Sequence, residues 1–144
     1  MQDFSGRDFF KGSDTSFGIF YPADYLIAVL DSNEAAKKGK DILLSAGYSE
    51  DEVAAVPNNY VISDIEKSKN DASFLTRIRQ KFSLGMGTEG LYWEKDLEWA
   101  KEGAGFLAIY CPTHHEAKRV QRLLTHENPK NMRRYAAMAI EKLS

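Results

Sequence analysis

Two stretches of the chain carry the same order of apolar and polar positions. Gly105 to His126 reads as a short continuous apolar run, a proline, and then apolar residues at helical spacing. Phe106 to Cys111 is the run, bounded by Gly105 and Pro112, a pattern that suits a strand covered on both faces. Pro112 cannot donate to a sheet ladder, so the strand should stop there. Thr113 and Glu116 form a T-x-x-E capping box, and Ala117, Val120, Leu123 and Leu124 follow as one apolar stripe. An ungapped shift of 81 positions lays Tyr25 on Phe106, Ser32 on Thr113, and Ile42-Leu43 on Leu123-Leu124. Two similar strand–helix units, each returning to a further strand, make a β-α-β-β-α-β arrangement. The expected fold is α+β and ferredoxin-like, over residues 24–144.

The rest of the chain fits around these units. Tyr25–Leu30 should be the first strand, with Tyr25, Ile27 and Val29 on one face and Leu26, Ala28 and Leu30 on the other. Asp31 and Glu34 suggest a cap for the first helix, and Gly39 in its stripe suggests a close approach of helix to sheet. Gly47 should end that helix in the left-handed conformation. Ser49 to Glu52 reads as a further capping box opening a short turn, and Tyr60–Ser63 as the second strand. Residues 64–103 form a helical insertion, with helices expected near Ala72–Phe82 and Leu91–Lys101. A short strand around Met132–Tyr135 and a C-terminal helix should close the domain.

Both faces of the two apolar strands are hydrophobic, while a ferredoxin-like sheet covers only one face with its own two helices. The other face needs a lid: the N-terminal arm (residues 1–23), the insertion, or a second subunit. This predicts a homodimer. The arm holds five of the eight Phe residues and should pack on its own domain or on a dimer mate.

Composition narrows the classes. The net charge is −2, split into −6 over residues 1–104 and +4 over residues 105–144. The basic third reads as a solvated face complementing an acidic one. One Cys excludes an internal disulfide and fits a reducing compartment. No apolar run approaches the ~20 residues of a membrane span, and no signal pattern opens the sequence. A cytoplasmic protein without membrane partners is expected.

Four constellations could carry chemistry. Gly85 to Gly90 spells G-x-G-x-x-G, but no strand precedes it, so it reads as a helix-to-helix hinge. Cys111, His114, His115 and His126 hold all the thiol and imidazole groups of the chain. Thiolate and imidazole are zinc and nickel ligands, and Cys111 with His114 or His115 is the candidate metal turn. The same turn is the candidate for nucleophilic or acid–base chemistry, with Cys111 before a helix start. Gly105 to Tyr110 has some likeness to the aromatic strand of an RRM, which would stack bases on Phe106, Tyr110 and Tyr25. The leading basic residue of that motif is missing, and nucleic acid is not the expected partner.

Leu26–Leu30, the helix from Asn33 to Gly47 ending in Ala-Gly-Tyr, Ser49–Pro57, and Cys111-Pro112-Thr113 with Glu116-Ala117 resemble bacterial general-stress (heat-induced stress) protein domains. The resemblance implies a small cytoplasmic α+β protein linked to stress, with no catalytic residues to transfer. The expectation is a non-enzymatic binding or regulatory domain with no cofactor. It would take a protein partner or a small hydrophobic ligand, at a site formed by Tyr25, Phe106, Tyr110, Tyr92, Trp93 and Trp99.

Overall fold

The computed structural model describes residues 23–69, 76, 92–136 and 140–143. The elements, in chain order, are β1 (Tyr25–Leu30), α1 (Asn33–Ser45), β2 (Val53–Val56), α2 (Asn58–Lys69), α3 (Trp93–Lys101), β3 (Gly105–Tyr110), α4 (His114–Leu124), β4 (Asn131–Tyr135) and β5 (Ile140–Lys142). Five strands form one antiparallel sheet in the order β2-β3-β1-β4-β5. β1 and β3 pair along their full lengths at its centre, with Ala28 opposite Leu107.

The two strand–helix units start their helices in the same way. The Ser32 hydroxyl accepts from the Ala35 N–H at 3.0 Å, and the Thr113 hydroxyl from the Glu116 N–H at 3.1 Å. Each satisfies one of the orphan donors of a helix start. Ser32, not Asp31, is the cap of α1, as its alignment with Thr113 implies. Gly47 ends α1 at φ 110°. Gly39 lets the helix close on the sheet: a Cβ there would lie 2.7 Å from Leu107 Cδ1.

The sheet is buried on both faces. Leu26, Ala28, Leu30, Leu107, Ile109 and Met132 pack with α1 and α4. Tyr25, Ile27, Val29, Phe106, Ala108 and Tyr135 pack with Val61 and Ile65 of α2 and Leu97 and Ala100 of α3. The lid over the second face is therefore built from helices of the same chain. The second face needs no second subunit to cover it.

Three sequence expectations are corrected. Tyr60–Ser63 lies within α2, and the second strand is Val53–Val56. The aromatic and β-branched run at 60–63 favours a strand locally, but burial of Val61 and Ile65 one turn apart favours a helix. The insertion therefore opens at Asn58. The expected C-terminal helix is replaced by β5, which hydrogen-bonds to β4 across Arg134 and Glu141. The expected helix near Ala72–Phe82, the glycine-rich Gly85–Gly90 segment and residues 1–22 of the arm lie outside the described residues.

Candidate functional site

Three of the five residues of β4 are polar or charged, yet all five are buried. Its alternation sends Asn131, Arg133 and Tyr135 toward α3, and Met132 and Arg134 toward the α1/α4 side. Each arginine organises a different cluster.

Arg133 and Asp96 are both fully buried. The guanidinium grips the carboxylate with two bonds, Nη2 to Oδ2 at 2.6 Å and Nη1 to Oδ1 at 3.1 Å. Nε donates to the Tyr135 hydroxyl at 2.9 Å, and Nη1 also donates to Asn131 Oδ1 at 2.9 Å. The Tyr92 ring lies under the guanidinium at 4.1 Å from its centroid. Burial acts to lower the Arg133 pKa, but the Asp96 carboxylate and Tyr135 outweigh it, so the guanidinium stays charged. Burial pushes the Asp96 carboxyl up against the pull of Arg133. Burial also raises the Tyr135 phenol to about 12 despite the neighbouring guanidinium, so it stays protonated. This cluster pins α3 to β4.

Around that pin lie the aromatic residues singled out in the sequence. Tyr25 and Phe106 form the floor of the core and are almost fully buried. Tyr92, Trp93, Trp99 and Tyr110 are half-buried, and Tyr60 of α2 joins them. Tyr110 meets Tyr25 edge-on at a centroid distance of 5.3 Å. The six named residues therefore share one side of the sheet, divided between floor and rim. The face on which bases would stack lies beneath α2 and α3, with Phe106 inaccessible.

The Cys/His turn is arranged differently. Cys111 is fully buried, and burial, with Glu116 next, raises its thiol to about 12. Its Sγ lies 3.8 Å from the Thr113 carbonyl oxygen. Its position before α4 does not produce a thiolate, because desolvation dominates. His114 and His115 are exposed. His114 Nδ1 lies 2.6 Å from Glu141 Oε2, while Arg134 Nε donates to Glu141 Oε1 at 3.2 Å and Arg134 Nη1 to the Pro112 carbonyl at 3.4 Å. His126 lies at the far end of α4, in the 3-10 turn Thr125–Glu127. Among the described residues, no group of three His, Cys, Asp or Glu side chains is placed to hold a metal ion. Among these residues, too, no helix is long and apolar enough to cross a membrane.

Sequence reasoning missed Arg133, Asp96, Arg134 and Glu141. The available signal was two arginines inside a required strand, which demand buried partners. Compared with protein-family models, curated proteins and solved structures, the chain shows no match.

Proposed function

We propose that this is a non-enzymatic binding domain of ferredoxin-like architecture that works through the aromatic rim of α3. Two β-α-β units and the central strand order β2-β3-β1-β4 support the architecture, with β5 as an added edge. One observation carries the functional reading. α3 is locked to the sheet by a fully buried ion pair, while Tyr92, Trp93 and Trp99 beside that lock remain only partly covered. Aromatic side chains on an immobilised helix lose little freedom on binding, and such residues carry much of the energy at protein and ligand interfaces. A protein partner or a small hydrophobic ligand fits that chemistry. The resemblance to general-stress domains adds a cytoplasmic, stress-linked setting. The alternative of a catalytic or metal-binding Cys111/His114/His115 turn draws less support, because the thiol is buried and protonated.

The test is native mass spectrometry of freshly purified protein, followed by tryptophan fluorescence. A retained small molecule or a stoichiometric partner, lost in W93A or W99A with the fold intact, supports the reading. Bound mass that survives both substitutions, or a bare chain whose emission no hydrophobic probe shifts, sinks it.

A further inference from the structure

α4 buries one stripe and exposes another. Ala117, Val120 and Leu124 are fully buried against the sheet. On its other side His115, Lys118, Arg119 and Arg122 are exposed, followed by exposed His126. Positions 115, 119, 122 and 126 recur along one side of the helix and make a row about 16 Å long. Lys118 lies beside that row. On α4 and the turn after it, two carboxylates stand against the three fixed cations Lys118, Arg119 and Arg122. Glu116 is half-buried at its flank, and Glu127 is only 13% exposed and pairs with Lys38 at 3.4 Å. α1 exposes Lys37 and Lys38 together with Glu34 and Asp41, so it adds no net charge. Arg119 is held in place: Nη2 donates to the Ala46 carbonyl at 2.6 Å, and its guanidinium lies 5.1 Å from the Tyr48 ring centroid.

We infer that this row is a contact surface for the phosphodiester backbone of a nucleic acid, bound without reading of its bases. Three classes of anionic partner could meet such a row, and the structure separates them. A membrane-surface helix inserts its apolar face into the lipid. The apolar face of α4 is committed to the sheet and has nothing to insert. An acidic protein surface would need an apolar, desolvated interface core to associate stably. Within α4 only Leu123 is a half-buried apolar residue. A nucleic-acid backbone requires neither, because counterion release from phosphates supplies the free energy. The surface lies on the opposite face of the sheet from the aromatic rim and is independent of the reading above.

The test is fluorescence anisotropy of labelled single-stranded RNA and duplex DNA with the full chain, across a salt series. Three fixed cations, Lys118, Arg119 and Arg122, give a slope of log K against log salt of about −2 for a single strand and about −3 for a duplex. Binding is therefore weak and confined to low salt. K118A/R122A changes only exposed side chains, and it should cut the slope to about −1 while leaving the fold unchanged. W93A and W99A should bind like the wild type. Absence of salt-sensitive binding overturns the inference, as does binding that K118A/R122A leaves unaltered. Binding to phosphatidylserine vesicles in place of nucleic acid overturns it as well.

Discussion

Arg133 and Asp96 meet with no solvent access to either side chain, 37 residues apart in sequence and joined by two hydrogen bonds. The pair links α3 to β4, and it sits where hydrophobic packing alone would be expected. Removing one partner leaves an uncompensated charge in the core, a loss of about 3–5 kcal/mol. D96N and R133M should each be destabilised on that scale in urea unfolding. Replacing both, as D96L/R133M, removes the two charges together and should recover part of the loss. Tyr135 and Asn131 would still lose the bonds that Arg133 gives them, so recovery is incomplete. A double variant less stable than either single one would show that the charges are not coupled.

Two glycines at close approaches separate side-chain walls from backbone walls. A Cβ on Gly39 would meet the end of the Leu107 side chain at 2.7 Å. Alanine gains helix propensity of about 1 kcal/mol, while overpacking costs about 1–3 kcal/mol. G39A should therefore be modestly destabilising, and L107V should relieve it. A Cβ on Gly105 would meet Asn33 Cα at 2.7 Å and overlap the Ser32 carbonyl. Backbone at the start of α1 cannot step aside as a side chain can. G105A should cost more than G39A in thermal unfolding, and no single side-chain truncation should rescue it.

The parts that could be read from the sequence are those where local chemistry and tertiary packing agree. Thr113 caps its helix, Gly39 faces the sheet, and β1 alternates between two cores, all visible from residue type and period. The misreadings occur where packing overrides propensity. Tyr60–Ser63 has a strand composition, but Val61 and Ile65 make it a helix. The strand expected at Met132–Tyr135 forms as β4, but the burial of its two arginines was not legible, because each meets a carboxylate supplied from elsewhere: Asp96 from α3 and Glu141 from β5. Such partners cannot be paired from one sequence, because neither the distance along the chain nor the residue type singles them out. For the same reason, the aromatic residues of the rim could be named in advance, but not the ion pair that holds their helix.

Cys111 offers a direct test of the metal and nucleophile readings. Its thiol is buried and raised to about 12, so almost no thiolate exists at neutral pH. Native protein should react with iodoacetamide far more slowly than urea-unfolded protein. Labelling should track global unfolding, and C111S should leave ligand or partner binding unchanged. Rapid native alkylation, followed by peptide mapping to Cys111, would instead return the turn to contention as a reactive site.

Glu141 ties the C-terminal strand to two other elements, and its titration gives that tie a pH signature. Burial acts to raise its pKa, but the hydrogen bonds with His114 and Arg134 outweigh this and hold the carboxyl below its usual range. A carboxyl depressed in the folded state contributes stability that is fully present above its unfolded pKa. That stability is lost as pH falls through the lowered folded value. The pair is partly solvated on the His114 side, so the contribution is modest, about 1 kcal/mol. E141Q should therefore melt below the wild type near neutral pH. The two should converge as the solution is acidified beyond the lowered carboxyl range. Leu143 follows in the same strap: its N–H donates to the Met132 carbonyl at 2.8 Å, and its own carbonyl accepts from Gln121. Hydrogen exchange at the Leu143 amide should accelerate in E141Q at neutral pH and in the wild type at acid pH, while β1 amides stay protected. Equal melting of E141Q and wild type at neutral pH would show that the contact adds nothing to stability.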